Sequence, residues 1–153
     1  MQLKGKKILK AAITAVGGYT PKTILSNEKL ETMVDTSDEW IRSRTGIKER
    51  RILLDENKAT SYLAIKAAKD LLNKKNTNAN TIDLVIVATV TPDLHVAATA
   101  AYVASSIGAK NAFAFDLNAA CSGFLYGMSV AAAYVNSGQY KKVLLIGADK
   151  MSS

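Results

Sequence analysis

The sequence predicts an α/β fold in which helices cover both faces of a largely parallel sheet. Four short runs rich in β-branched and apolar residues are each bounded by Gly, Asn, Asp or Lys, which is typical of buried strands. Three stretches between these runs repeat apolar residues with helical periodicity. Strands that alternate with helices imply crossover connections, and therefore a doubly wound sheet.

The predicted strands and helices alternate along most of the chain. The strands are residues 8–16, 84–90, 112–117 and 143–146. The helices are residues 61–73, 99–107 and 122–136; in the first, Leu63, Ala64, Ala67, Ala68 and Leu71 form one apolar face. The other two are rich in Ala, so they can approach a sheet closely. The polar composition of residues 73–81 indicates a loop.

Residues 20–55 interrupt the alternation and predict an insertion on this scaffold. Ser26 can cap a short helix that reaches residue 33, and Ser37 can cap a second over residues 38–43. Gly46 would end the second helix. No second domain is indicated, so residues 1–153 are interpreted as one domain with an inserted segment.

Composition limits the function classes. The chain is 48% hydrophobic and 22% charged, which excludes a largely disordered protein. No apolar run reaches the roughly 18 residues of a membrane span, and the apolar run after the basic start is short for a secretory signal. A single cysteine cannot form an intramolecular disulfide, so the prediction is a cytoplasmic protein that is not bound to a membrane.

The basic charge lies in the first half of the chain. Residues 1–75 carry 16 Lys and Arg against 9 Asp and Glu, whereas residues 76–153 carry four of each. This asymmetry favours an acidic partner or a phosphate-bearing ligand, and a merely solvated basic face is the alternative. Nucleic acid is not predicted, because the lysines are spread over several elements without an array of aromatic residues.

Cys121 lies where the third predicted strand gives way to the third predicted helix. A cysteine at the first turn of a helix feels unpaired N–H groups and the positive end of the helix dipole, which favour thiolate over thiol. Ala119 and Ala120 keep the preceding turn narrow, and Gly123 should let backbone come close. The sequence therefore predicts a nucleophile for acyl transfer, with a small buried cysteine as the alternative.

Other chemistries find little support in the residues. Gly17-Gly18 lacks the third glycine of a dinucleotide-binding fingerprint, and no phosphate-binding loop motif is present. One histidine and one cysteine do not suggest a metal site. His95 could form a dyad with Cys121, but it belongs to a loop before a different helix, so an exposed loop residue is the favoured interpretation.

Two segments resemble a known family. Residues 35–50 read DTSDEWIRSRTGIKER, and residues 119–124 read AACSGF. Together they are similar to the β-ketoacyl-acyl carrier protein synthase III family of thiolase-superfamily condensing enzymes. The first motif is specific to the type III branch, whereas the second is shared more widely, and the resemblance extends from about residue 8 to residue 153. It implies a thiolase-like fold, of which this chain is the first of two halves, without its last strand.

The resemblance implies a reaction and roles for five residues. Acyl-CoA, such as acetyl-CoA, would acylate Cys121, and malonyl-acyl carrier protein would then condense with the acyl group by decarboxylation. Trp40 matches the aromatic residue that stacks on the adenine of coenzyme A. Thr36 matches a position near the base, and Arg44 matches a position near the phosphates. Val96 matches the apolar position through which the neighbouring subunit of a homodimer closes the acyl tunnel. No permanent cofactor is implied, because the coenzyme A thioester is a substrate.

Alternatives remain open at this level. Trp40 could pack the insertion onto the sheet while Arg44 is solvated. The family's His and Asn that assist decarboxylation lie in its second half, so residues 1–153 alone are not expected to complete the condensation. Two interpretations compete with this one. The protein could be a related condensing enzyme with another acyl acceptor, or it could be a noncatalytic interaction subunit.

Overall fold

The computed structural model describes residues 10–152, which form two compact units. The first, here called the sheet unit, comprises residues 10–19 and 59–150. The second, the hairpin unit, comprises residues 20–58 with residues 151 and 152. In chain order the elements are β1 (Thr23–Ser26), α1 (Asn27–Glu31), α2 (Asp38–Thr45), β2 (Glu49–Ile52), α3 (Thr60–Lys75), β3 (Leu84–Ala88), α4 (Thr99–Ile107), β4 (Phe113–Leu117), α5 (Gly123–Ser137) and β5 (Val143–Gly147). Short 3-10 turns occupy Ala79–Thr81 and Ala120–Ser122.

Three parallel strands form the sheet, in the order β4-β3-β5. Leu84 pairs with Phe113 on one side and with Val143 on the other, and this register continues to Ala88. All five residues of β3 are buried, as expected for the central strand of a parallel sheet covered on both faces. The three strands predicted from residues 84 onward are confirmed, with ends that shift by one or two residues.

Alternate side chains of the strands point to opposite faces of the sheet. On one face α3 packs against β5 and α4 packs against β3 and β4, and this packing forms the core. Its buried residues include Val85, Val87, Leu144 and Ile146 from the strands and Ala64, Ala68, Leu72, Ala100, Val103 and Ala104 from the helices. Helix α4 therefore uses small residues to lie close to the sheet, as the sequence predicts, and Ala64 and Ala68 do the same for α3.

Helix α5 packs on the opposite face. Gly127 lies so close to β5 that an added Cβ would be 2.5 Å from Leu145 Cδ1. Only Gly123 and Gly127 of this helix are buried. Phe124, Leu125 and Tyr126 are exposed, although they are large and apolar. Helices thus cover both faces of the sheet, but α5 keeps much of its apolar surface in solvent.

The hairpin unit contains an antiparallel pair, β1 and β2, in which Thr23 pairs with Ile52 and Ser26 with Glu49. The sequence did not predict these strands. The two helix caps are confirmed: the Oγ of Ser26 accepts the N–H of Lys29, and the Oγ of Ser37 accepts the N–H of Trp40. Helix α2 runs to Thr45, and Gly46 ends it with a φ of 73° while its N–H donates to the carbonyl of Arg42.

The predicted strand at residues 8–16 is wrong for residues 10–16, which form no strand; residues 8 and 9 lie outside the described part. The N–H of Ala11 donates to Oδ1 of Asn136, and the N–H of Gly18 donates to Oδ2 of Asp70. These hydrogen bonds to side chains take the place of backbone hydrogen bonds to a neighbouring strand. A β-branched sequence favours a strand only when a neighbouring strand pairs with it, and no described strand pairs with this segment.

No helix among the described residues is long and apolar enough to cross a membrane.

Candidate active site

Cys121 is presented on a tight turn at the carboxyl end of β4. The strand ends at Leu117, and the 3-10 turn Ala120–Ser122 leads directly into α5. The N–H of Ser122 donates to the carbonyl of Ala119 at 3.1 Å, which closes the turn. The thiol of Cys121 is exposed, so the alternative of a small buried cysteine is wrong for this chain.

Ala120 adopts a left-handed backbone conformation immediately before Cys121. Its φ is 46°, a value that costs a non-glycine residue about 1–2 kcal/mol. Strained backbone of this kind persists only where the surrounding structure determines it, and it occurs often next to reactive residues. Gly123 does not provide the expected close approach, since an added Cβ would lie 3.5 Å from the Cβ of Ala88, an ordinary contact.

Three helices begin at this edge of the sheet, and two of them are capped by distant carboxylates. Oδ1 of Asp93 accepts the N–H of Ser61 at the start of α3. The two oxygens of Asp116 accept the N–H groups of Thr99 and Ala100 at the start of α4, each at 2.7 Å. A carboxylate in this position offsets the positive end of the helix dipole.

Helix α5, which follows Cys121, has no side-chain cap among the described residues. The N–H groups of Ser122 and Gly123 donate to the carbonyls of Ala119 and Ala120 within the preceding turn. An anion bound beside this helix start would not compete with a capping carboxylate such as those at the starts of α3 and α4.

The loops after β3 and β5 are tied together by Asp149. Its Oδ1 accepts the hydroxyl of Thr89 at 2.9 Å and the N–H of Val90 at 2.8 Å, and also contacts the N–H of Thr91 at 3.2 Å. The hydroxyl of Thr91 lies 2.9 Å from that of Thr60. The strand ends around Cys121 are thus held by a satisfied polar network.

Sequence reasoning missed Asp93, Asp116 and Asp149. One signal could have found them, because each lies in or shortly after a strand, at the edge of the sheet where doubly wound folds place their ligands.

The loop between β3 and α4 carries His95 and Val96. Both are exposed, and Val96 is fully so. An apolar side chain that is completely exposed has no packing role within this chain. His95 lies on a different element from Cys121, in agreement with its interpretation as a loop residue.

In the hairpin unit, helix α2 brings Trp40 and Arg44 together. The two residues are one helical turn apart, and the guanidinium carbon of Arg44 lies 4.7 Å from the centroid of the Trp40 ring. The Trp40 side chain is about half exposed (52%). Thr36 is half-buried and directly precedes Ser37, whose hydroxyl caps the helix. Thr36, Trp40 and Arg44 therefore share one short segment, whereas Cys121 and Val96 belong to the sheet unit.

Residues 10–152 contain no group of three or more His, Cys, Asp or Glu side chains arranged to hold a metal ion.

Comparison with known proteins gives one consistent family. The family model for 3-oxoacyl-[acyl-carrier-protein (ACP)] synthase III matches residues 115–153. A β-ketoacyl-[acyl-carrier-protein] synthase III from Chlorobium chlorochromatii is 62% identical over 145 residues, which are 95% of this chain and 44% of that protein. A β-ketoacyl-[acyl-carrier-protein] synthase III from Bacteroides thetaiotaomicron is 57% identical over 145 residues, which are 95% of this chain and 43% of that protein.

The crystal structure of 3-oxoacyl-[acyl-carrier-protein] synthase III from Aquifex aeolicus has the same fold. It matches 94% of this chain and 46% of its own length, with a TM-score of 0.88 and 46% sequence identity. The chain therefore spans less than half the length of the curated relatives and the solved structure it matches.

Proposed function

The chain belongs to the β-ketoacyl-[acyl-carrier-protein] synthase III family, and we propose that it carries the acyl-accepting half of an enzyme that initiates fatty acid synthesis. In the first step the Cys121 thiolate attacks the carbonyl carbon of an acyl-CoA. The bond from that carbon to the sulfur of coenzyme A then breaks. Coenzyme A leaves as its free thiol form, and the acyl group stays bound to the sulfur of Cys121. One thioester replaces another, so little free energy is required.

The exposed Cys121 thiol next to the uncapped start of α5 carries this proposal. The thiolate is the reactive form of cysteine, and the exposed sulfur precedes the N–H groups of the first turn of α5. The same N–H groups can stabilise the oxyanion that forms when the thioester carbonyl is attacked. The left-handed turn at Ala120 holds the thiol at the edge of the sheet, where ligands of such folds bind.

Trp40, Thr36 and Arg44 are proposed to bind coenzyme A. The exposed indole of Trp40 offers a flat surface on which the adenine can stack. Arg44 lies against that ring, and its guanidinium has donors that match phosphate oxygens. Thr36 precedes the capped start of α2, close in sequence to both residues, and is assigned to the base.

The second step is proposed for the whole enzyme. Malonyl-acyl carrier protein loses carbon dioxide, and its methylene carbon attacks the acyl group as Cys121 leaves as thiolate. The family resemblance assigns assistance in this step to a His and an Asn. The whole enzyme is proposed to be a cytoplasmic homodimer without a permanent cofactor, with Val96 closing the acyl pocket of the neighbouring subunit.

Intact mass spectrometry tests the first step directly. After incubation with acetyl-CoA, the chain should gain one acetyl group, and the Cys121→Ser variant should gain none. Because Cys121 is the only cysteine, the mass change needs no further assignment. The Trp40→Ala variant separates site-directed acylation from simple thiol exchange, since its acylation should slow at low acetyl-CoA concentration and recover at high concentration. If Cys121 stays unmodified even when a complementary second half is added, the nucleophile role is refuted.

A further inference from the structure

Asn27, the first residue of α1, is a fully buried polar residue with 0% of its surface exposed. Its amide nitrogen donates to Oδ1 of Asp38 at 2.7 Å and to the carbonyl of Ile47 at 2.8 Å. Its amide oxygen accepts Nη1 of Arg50 at 2.6 Å. The backbone N–H of Asn27 also donates to the carbonyl of Lys48 at 3.2 Å. Both donors and the acceptor of this amide are therefore used.

These partners lie at the two ends of helix α2. Asp38 is the first residue of the helix, and Ile47 directly follows the glycine that ends it. Arg50 is on the strand that continues the chain. One side chain thus fastens both ends of an eight-residue helix and the following strand.

We infer that Asn27 is a positioning residue for coenzyme A binding, because it holds the helix that carries Trp40 and Arg44. This inference rests on the proposed function, in which those two residues contact the nucleotide. Helix α2 is short and few of its residues are buried, so its orientation depends on such fastening points. The side chain of Asn27 bonds to Asp38, Ile47 and Arg50 and not to Trp40 or Arg44. It therefore acts on those two residues through the backbone of helix α2.

The chemistry of the three contacts explains why an amide is required. Asp38 offers an acceptor, Ile47 a second acceptor, and Arg50 a donor, so only a side chain with two donors and one acceptor satisfies all three. The hydrogen bond from Asn27 is also the largest cause that holds the pKa of Asp38 below its ordinary value. A carboxylate at position 27 would still accept from Arg50 but would face the carboxylate of Asp38.

Trp40 makes the test specific, because it is the only tryptophan in the chain and its fluorescence reports on helix α2 alone. The variants are Asn27→Asp, which keeps the shape, and the control Asn57→Asp, which makes the same charge change in an exposed loop of the same unit. In the absence of coenzyme A at pH 8, acrylamide should quench Trp40 at least twofold more strongly in N27D than in N57D or the unsubstituted chain.

A double variant tests for rescue. In N27D/D38N the amide and the carboxylate exchange places, so the contact between positions 27 and 38 is restored with the donor reversed, and Arg50 keeps its partner. Quenching should return most of the way to the value of the unsubstituted chain. Lowering the pH to 5 should also partly restore N27D, because one of the two facing carboxyls then takes up a proton. Arg50 faces them from β2, Arg42 forms an ion pair with Asp38, and Lys48 and the carboxylates of Glu28 and Glu31 are the further charges near Asp38.

Titration with coenzyme A, followed through Trp40, measures the consequence for binding. The dissociation constant should rise about tenfold in N27D, stay unchanged in N57D and recover in the double variant. The rate at which iodoacetamide alkylates Cys121 should not change in any of them. If the unsubstituted chain binds no coenzyme A, the proposed function fails, while the quenching series still decides whether Asn27 positions the helix.

Two outcomes would overturn the inference. The first is equal quenching of Trp40 and equal coenzyme A affinity in N27D and N57D. The second is a loss of circular dichroism in N27D that neither low pH nor the D38N substitution reverses, because Asn27 would then serve the fold as a whole.

Discussion

Replacing Asp116 by Ala should strongly destabilise the sheet unit. Asp116 accepts the N–H groups of Thr99 and Ala100, and both residues are almost completely buried, at 1% and 0% exposure. Water cannot readily replace the lost acceptor at these positions. Each unpaired buried N–H costs about 1–3 kcal/mol, so we expect the two together to lower the free energy of unfolding by at least about 2 kcal/mol.

Asp83→Ala is the matched control. The carboxylate of Asp83 also accepts two backbone N–H groups, those of Lys141 and Lys142, at 2.8 and 2.9 Å. Both lysines are exposed, so water can take the place of the carboxylate, and the expected loss is below about 1 kcal/mol.

Urea denaturation followed by circular dichroism measures the difference. With a slope of about 2 kcal/mol per molar urea, the midpoint should fall by at least about 1 M for Asp116→Ala and by less than about 0.5 M for Asp83→Ala. Equal slopes are needed for this comparison. Midpoints that fall equally in the two variants would refute the reasoning that burial of the donor sets the cost.

Three further predictions follow from the local geometry. Ala120→Gly relieves the left-handed strain, so stability should stay equal or rise by about 1 kcal/mol, while acylation of Cys121 by acetyl-CoA should slow several-fold as the turn loosens; an unchanged rate would contradict the positioning role. Gly46→Ala should cost about 1 kcal/mol in urea denaturation through backbone strain alone, since no atom lies within 4 Å of the added Cβ. The pKa values of Asp38 and Asp70 are lowered, chiefly by hydrogen bonds from Asn27 and Lys74, so their stabilisation is present above about pH 4 and lost as the pH falls through the lowered folded values. A urea midpoint that does not fall between pH 5 and pH 3 would contradict this sign.

Local signals carried most of what the sequence predicted. The strands beginning at Leu84, Phe113 and Val143 are apolar runs of the length that a central parallel strand requires. Ser26 and Ser37 were recognisable as caps because a cap acts within three residues of itself. The thiol of Cys121 could be placed at a strand-to-helix turn for the same reason, since both neighbouring patterns are local.

Contacts between distant residues could not be predicted in this way. The hairpin strand β2 begins Glu-Arg-Arg and lacks apolar alternation, so it forms only because β1 lies beside it. Residues 10–16 show the reverse case, in which strand-forming residues find no described partner. Asp116 and Asn27 act on backbone that is 16 to 20 residues away in sequence, and nothing in their immediate neighbours reveals those partners.

Helix α5 shows how the fold and the proposed chemistry depend on each other. Its glycines pack on the sheet, whereas Phe124, Leu125 and Tyr126 on the remaining surface are 48–66% exposed. A helix that is apolar all round is typical of one buried on all sides, and the curated relatives are more than twice as long as the segment they share with this chain. Cys121 lies in the 3-10 turn that leads into this helix, so a layer that covered α5 would also limit water at the thiol.

The proposed acyl thioester on Cys121 should therefore hydrolyse faster in a polypeptide of residues 1–153 alone than in a full-length relative. Its half-life after removal of acetyl-CoA, followed by intact mass, measures this difference. The Leu125→Lys variant is the control for solvent access, because it adds charge to the exposed surface and leaves the turn at Ala120 in place; in this chain it should not shorten the half-life further. An acyl group that is equally long-lived in both proteins would show that the turn itself, and not a covering layer, protects the intermediate from water.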